Sequence, residues 1–188
     1  MPGPRRIKGY AIISVDGMIA NAAGIFPDSL KFEADRQFFE RSLEAVGVVV
    51  HGRHSEEQDP GSRLRRRLIL TRQVPAVAAD PANEKALLWN PAGASFEEAL
   101  AALGAPDGSV GIIGGTDVFG MFLDRYDAFY LTRAPRVRLP GGRPVFLEVA
   151  THTPEAVLGS HGLRLGRREV LDPAIGLVVE SWQRSSRV

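Results

Sequence analysis

Short apolar runs alternate with segments of helical periodicity along most of this chain. The spacing of Phe and Leu residues predicts helices over Ser29–Val46 and Phe96–Leu103, and a third helix begins after Gly115. Apolar or alternating runs typical of strands lie at Ile7–Val15, Val46–Val50, Arg67–Leu70, Ala86–Trp89, Val110–Ile113 and Ala128–Thr132. This alternation indicates an α/β fold, in which about four helices flank a mixed, mostly parallel sheet.

The second half of the chain contains two further patterns. Val110–Ile113, the helix after Gly115 and Ala128–Thr132 have the order of a βαβ unit. Between Val157 and Glu180 the pattern favours strands, and no clear helix stands out. We therefore expect a C-terminal antiparallel hairpin to complete the sheet.

Composition narrows the class of protein. A chain of 188 residues with 44% hydrophobic and 24% charged content predicts one domain over residues 1–188. A net charge of +1 gives no reason to expect a nucleic-acid or membrane partner. The lack of Cys excludes a disulfide framework and a thiolate metal site. No apolar run approaches the roughly 18 residues of a membrane span, so we expect a cytoplasmic protein.

Two strand ends carry glycines that suit an anionic ligand. Gly114 and Gly115 separate an apolar strand from a helix, a place where backbone N–H groups and the helix dipole can bind phosphate. The alternative is a tight turn without a ligand, and this motif alone favours neither. A second strand ends in Gly52, followed by Arg53, His54 and Ser55. Two such ends can hold one diphosphate from both sides.

A third strand end adds a cation. Thr71 and Arg72 follow the strand Arg67–Leu70, and a hydroxyl beside a guanidinium suits a terminal phosphate. Taken alone, this pair is better explained as a solvated strand end. Together, the three strand ends favour a dinucleotide that carries an extra phosphate.

These motifs resemble the dihydrofolate reductase superfamily, which includes dihydrofolate reductase and the reductase half of the riboflavin-pathway deaminase-reductase. The similarity runs from about residue 7 to residue 147, and the SVDG motif is closer to the riboflavin-pathway branch. It rests on SVDGMIA (14–20), DRQFF (35–39), VHGRHS (50–55), RLILTR (67–72), IIGGTDVF (112–119) and FYLTR (129–133). The resemblance implies a three-layer fold, an NADPH cofactor and a homodimer that pairs through its sheets.

The resemblance also implies where NADPH would lie. Thr71 and Arg72 would face its adenosine end and 2'-phosphate, and a cis peptide bond would join the two glycines before the third helix. One face of the diphosphate and the nicotinamide would be lined by Gly52, Arg53, His54 and Ser55. The other face would be wrapped by Gly114, Gly115, Thr116, Asp117, Val118 and Phe119.

A carboxylate would then assist the chemistry. Hydride transfer to a carbon–nitrogen double bond needs protonation of the nitrogen, and burial raises the pKa of a carboxyl group towards neutrality. The resemblance assigns this role to Asp35, supported by Thr132, with Phe39 and Arg65 on the substrate side. The alternatives are a solvated helix Asp and a Thr that merely favours a strand; Glu33 and Asp28 are the fallback acids.

We therefore predict an NADPH-dependent reductase of a pyrimidine- or pterin-type heterocycle, of the 5-amino-6-ribosylaminouracil phosphate reductase type. The alternatives are a dihydrofolate reductase-type activity and a non-catalytic nucleotide-binding module that keeps the fold. The basic run Arg63–Arg67 lacks interleaved aromatics, which favours a solvated loop with one member turned inward over a nucleic-acid site. We expect no metal, since no carboxylate has ligand spacing around His51 and His54.

Overall fold

The structure is a computed structural model that describes residues 5–55, 61–105 and 108–185. Its strands are β1 (Ile7–Ile13), β2 (Met18–Ala20), β3 (Val48–Gly52), β4 (Arg67–Leu70), β5 (Val77–Ala79), β6 (Ala86–Trp89), β7 (Val110–Ile112), β8 (Ala128–Arg133), β9 (Arg143–Pro144), β10 (Leu163–Asp172) and β11 (Leu177–Arg184). Its α-helices are α1 (Glu33–Glu44), α2 (Phe96–Ala102), α3 (Thr116–Met121) and α4 (Pro154–Ser160). None of these helices is long and apolar enough to cross a membrane.

Nine strands form one mixed sheet in the order β10-β11-β8-β1-β7-β3-β4-β6-β5. The strands from β8 to β6 run parallel to their neighbours, whereas β11, β10 and β5 are antiparallel. The predicted mostly parallel sheet and C-terminal hairpin are therefore confirmed. The predicted βαβ unit is present as β7, α3 and β8, and β1 lies between its two parallel strands. Strands β2 and β9 form a separate small sheet.

Helices cover both faces of the large sheet. Side chains from α2, α3 and α4 pack into the main apolar core on one face. On the other face, α1 packs on a smaller cluster around Tyr10, Leu43 and Val49. Because β3 is covered on both faces, Val48–Val50 is almost fully buried. The result is the predicted three-layer arrangement.

Two sequence predictions of helices need correction. The expectation of no clear helix after Val157 is wrong, because α4 begins at Pro154. The side chain of Thr153 caps it by accepting a hydrogen bond from the Ala156 N–H, and Pro occupies its first position. The helix expected from Ser29 begins only at Glu33, because Asp28–Leu30 forms a separate 3-10 turn. The predicted helix at Phe96 is present as α2, and a capping box of Ser95 and Glu98 starts it.

Candidate active site

The carboxyl ends of β7, β3 and β4 lie side by side. These strands are parallel neighbours, in register at Val50 with Ile112 and at Gly52 with Leu70. The backbone N–H of Gly52 donates to the carbonyl of Gly114 over 2.8 Å. The structure therefore brings together the three strand ends that the sequence singled out, at the edge where open α/β sheets bind ligands.

The two glycines between β7 and α3 have different requirements. Gly114 has a φ of +119°, a conformation that residues with a side chain rarely adopt. Gly115 has ordinary extended backbone, and a β-carbon there would lie 3.3 Å from Ser55 Oγ. The peptide bond between them is cis, as the resemblance implies. Ser55 and Gly115 thus face each other across the gap between two strand ends.

Residues of α3 can reach a ligand mainly through their backbone. The hydroxyl of Thr116 donates to the Pro144 carbonyl, and the side chains of Val118 and Phe119 are buried in the main core. The side chain of Asp117 is exposed and points into solvent. Within the described part of the chain, the backbone N–H groups of residues 116–118 make no hydrogen bond, so they can donate to an anion.

The ends of β3 and β4 carry the candidate cations. The Ser55 N–H donates to the Gly52 carbonyl over 3.1 Å, which closes a tight turn on which Arg53 and His54 are exposed. At the end of β4, Thr71 is buried and its hydroxyl oxygen accepts from the Gln73 N–H, while Arg72 is exposed. Solvent-exposed guanidinium groups thus flank the strand ends and are accessible to a ligand.

Asp35 lies in the first turn of α1 and faces β8 on the same edge of the sheet. Burial raises the pKa of its carboxyl group from 3.8 to about 6, and a hydrogen bond with the Thr132 side chain opposes this shift. Thr132 itself is 2% exposed. The structure thus places the two predicted catalytic residues in contact, and the carboxyl group changes protonation state near neutral pH.

The two fallback acids have a different environment. Glu33 accepts hydrogen bonds from Arg36 and Gln37 on the surface of α1, and these bonds lower its pKa to about 2. Asp28 is exposed and forms an ion pair with Lys31. Both carboxylates stay ionised at neutral pH, so neither suits proton donation.

An aromatic cluster lies beside Asp35, between α1 and the sheet. Tyr10 and Tyr130 are directly opposite each other on β1 and β8, and their rings stack at 5.0 Å. Phe38 contacts Tyr130 and Phe39 meets Tyr10 edge-on at 6.5 Å. Phe39 was predicted on the substrate side, whereas neither tyrosine was predicted, although the alternation in FYLTR puts Tyr130 and Thr132 on one face of β8.

The basic run before β4 divides as predicted, with one member turned inward. Arg67 is fully buried, whereas Arg63 and Arg66 are exposed and Arg65 is half-buried. Arg65 lies just before the amino end of β4, away from the carboxyl ends where the other candidates meet. Its assignment to the substrate side stays a prediction.

The sequence matches no protein-family model and no curated protein. The structure is similar to that of a protein from Shewanella sp. PV-4 described as a riboflavin biosynthesis protein, with a TM-score of 0.68, 21% identity, and coverage of 96% of this chain and 99% of that one. Dihydrofolate reductase from Enterococcus faecalis, solved with NADP(H), gives a TM-score of 0.63 at 19% identity, covering 96% of this chain and 97% of that one. The chain has the dihydrofolate reductase-like fold.

A bifunctional protein from Thermotoga maritima shares this dihydrofolate reductase-like fold. It is a diaminohydroxyphosphoribosylaminopyrimidine deaminase and 5-amino-6-(5-phosphoribosylamino)uracil reductase, with a TM-score of 0.66 and 18% identity. The match covers 96% of this chain and 57% of that protein. Identities at this level establish the fold, whereas activity depends on the residues of the site.

Within the dihydrofolate reductase-like fold, the SVDG motif of this chain connects two loops through hydrogen bonds. The Asp16 carboxylate accepts from the Ser14 hydroxyl at 2.6 Å and from the Leu139 N–H at 3.0 Å. The Val15 N–H donates to the Val137 carbonyl. These bonds fasten the loop after β8 to the turn after β1, so the motif shapes the edge of the site.

Proposed function

We propose that this protein is an NADPH-dependent reductase that adds hydride and a proton across a carbon–nitrogen double bond of a pyrimidine- or pterin-type heterocycle, in the manner of riboflavin-pathway reductases. The observation that carries this proposal is the Asp35 carboxyl group, whose pKa is about 6 and which contacts Thr132. It lies on the same edge of the sheet as three adjacent strand ends. An acid beside a dinucleotide cradle is the arrangement that such a reduction needs.

The residues at the strand ends fit NADPH. Gly115 carries no side chain, and a β-carbon there would lie 3.3 Å from Ser55 Oγ, so glycine lets a ligand approach the backbone closely. The N–H groups of residues 116–118 can donate to a diphosphate, and the exposed Arg53 and Arg72 can pair with phosphate charges. When bound, NADPH supplies the hydride.

Asp35 supplies the proton in this proposal. With a pKa of about 6, part of the enzyme holds a protonated Asp35 at pH 6–7, which can donate to the substrate nitrogen. The Thr132 hydroxyl donates to the ionised carboxylate that remains and fixes its orientation. The stacked Tyr10 and Tyr130 and the phenylalanines of α1 keep water from the helix side of this carboxyl group.

A thermal-shift comparison with NADPH, with NADH and without ligand tests the proposal. A ligand that binds only the folded state raises the melting temperature, and the shift grows with the ratio of ligand concentration to its Kd. We expect a clear shift with NADPH, a smaller one with NADH, and NADPH oxidation when a suitable heterocycle is added. The absence of any shift would overturn the cofactor assignment, and binding without turnover on any heterocycle would favour the non-catalytic module.

Replacement of Arg72 should change the choice of cofactor. Arg72→Gln is expected to weaken NADPH binding about 10- to 100-fold and NADH binding little, because only NADPH carries the 2'-phosphate that a charge-assisted hydrogen bond would recognise. Titration calorimetry with both cofactors measures this ratio. The control is Arg63→Gln, which removes an exposed arginine near the amino end of the same strand. Equal weakening of both cofactors by Arg72→Gln would contradict the assignment.

We further propose a homodimer that pairs through the sheets. Strand β10 forms an edge of the large sheet and exposes Leu165 and Val170, which are 42% and 58% accessible. Light scattering at micromolar concentration should give twice the chain mass of 20.4 kDa. Val170→Lys places a charge on this edge and should yield a monomer, since edge lysines oppose strand pairing. A monomeric wild type would refute the proposal.

A further inference from the structure

Two buried polar side chains lie beneath the turn that follows β3. Arg67 begins β4 and is 0% exposed, and His51 on β3 is 1% exposed. The strands pair in parallel, with Val49 opposite Arg67 and His51 opposite Ile69, so the two side chains share the α1 face of the sheet. Burial of a guanidinium is costly, which calls for a role beyond filling space.

The hydrogen bonds of this pair lead directly to Gly52. A guanidinium can only donate, so at 2.9 Å the Nη1 group of Arg67 donates to His51 Nε2. The proton of the His51 ring is therefore on Nδ1, which donates to the Gly52 carbonyl at 2.7 Å. This carbonyl also accepts from the Ser55 N–H. His51 thus fixes the carbonyl around which the Gly52–Ser55 turn closes.

Arg67 also holds the other end of the connection between β3 and β4. Its Nη2 group donates to the Ser62 carbonyl, while His51 links it to Gly52. Gly52 in turn donates through its N–H to the Gly114 carbonyl of the neighbouring strand end. One continuous set of hydrogen bonds therefore joins Ser62, the buried pair and both glycine-bearing strand ends.

We propose that His51 and Arg67 are positioning residues for the cofactor: they hold the Gly52–Ser55 turn in the geometry that receives the diphosphate, without touching the ligand. This inference rests on the proposed function, because it concerns the same cradle. It assigns a role to a histidine and an arginine that the proposed chemistry leaves unused.

Two substitutions of His51 separate positioning from mere stability. The Asn side chain can replace the Nδ1 donor to the Gly52 carbonyl but does not reach Arg67. The Gln side chain can replace the Nε2 acceptor for Arg67 but removes the side-chain donor to the Gly52 carbonyl, which then keeps the Ser55 N–H. We expect His51→Gln to weaken NADPH binding about tenfold, the effect of one lost hydrogen bond, and His51→Asn about twofold at most. Melting temperatures should follow the opposite order, because His51→Asn removes one of the acceptors of the buried Arg67 guanidinium.

Arg184→Gln is the matched control. The Arg184 guanidinium donates to the carbonyls of Tyr126, His161 and Leu123, at the amino edge of the parallel strands. Its loss should lower the melting temperature and leave NADPH affinity unchanged. If wild type binds NADPH and the two His51 variants bind it equally, or in the order of their stabilities, the positioning role is wrong. If wild type does not bind NADPH, the proposed function falls, and this inference with it.

Discussion

Asp35→Asn should slow the reduction about 10²- to 10⁴-fold and leave NADPH affinity within about twofold of wild type. The amide keeps the shape of the side chain and can still contact Thr132, but its N–H groups are not acidic and cannot transfer a proton to the substrate. Single-turnover kinetics with a pyrimidine- or pterin-type heterocycle that wild type reduces measures the loss, and fluorescence titration measures cofactor binding. In wild type the rate should fall as pH rises above about 6, because the protonated fraction of Asp35 falls.

Glu33→Gln is the control for this variant. It removes a carboxylate from the same turn of α1, but that carboxylate is exposed and paired with Arg36. We expect its turnover to match that of wild type. If Asp35→Asn also matched wild type, the proton donor would lie elsewhere. The buried Asp35 carboxyl group would then no longer support the proposed function.

The same Asp35→Asn variant has a stability signature that needs no substrate. The folded state holds the Asp35 proton with a pKa of about 6, against an ordinary value of 3.8. Between these values the folded protein binds more protons than the unfolded chain, so wild-type stability falls as pH rises. Above pH 6 this loss in the free energy of unfolding is complete, and it amounts to about 3 kcal/mol at most. Asp35→Asn should therefore melt at a higher temperature than wild type at pH 8 and lose this advantage below pH 4.

The sequence allowed the central part of the fold to be predicted because its signals are local. A continuous valine run such as Val48–Val50 is typical of a strand in the middle of a parallel sheet, where both faces are buried. Glycines at a strand end mark a close approach of backbone, and β7 and β3 bring Gly114 next to Gly52. Asp35 could be found only through its resemblance to a family motif, because nothing local distinguishes it from the exposed Glu33 two residues earlier. Packing against β8 buries the Asp35 carboxyl group and raises its pKa, whereas Glu33 stays exposed.

The features that were missed depend on tertiary contacts or on short signals. Helix α4 has only seven residues, too few for a clear helical period, and only the cap Thr153 and the first residue Pro154 mark its start. Short strands such as β2 and β9 exist because each pairs with the other across the chain, which no local periodicity reveals. The hydrogen bond from Arg67 to His51 depends on the pairing of two strands. The basic run therefore indicated that one arginine turns inward, but it could not indicate that the acceptor is His51.

Gly115→Ala should weaken NADPH binding at least tenfold and leave the fold intact. The backbone of Gly115 is extended, with a φ of −81°, so alanine is compatible with its conformation. The added methyl group would lie 3.3 Å from Ser55 Oγ, a flexible atom that can move by a few tenths of an ångström. It would, however, block the close approach to the Gly115 backbone that we assign to the cofactor. We expect NADPH affinity to fall about tenfold or more, equivalent to at least ~1.4 kcal/mol, while the melting temperature without ligand stays near that of wild type.

Gly120→Ala shows what the same methyl group does elsewhere on α3. Among the described residues, no atom outside the neighbouring residues and the backbone of α3 lies within 4 Å of a β-carbon at Gly120, and alanine favours the helix by about 1 kcal/mol over glycine. This variant should bind NADPH normally and melt slightly higher than wild type. If Gly115→Ala also binds NADPH normally, no ligand approaches Gly115. The turn between β7 and α3 would then be a tight connection without a ligand, which is the alternative that the sequence left open. Loss of binding in Gly115→Ala alone would place the cofactor against Gly115, because the two variants add the same methyl group at different positions of the same segment.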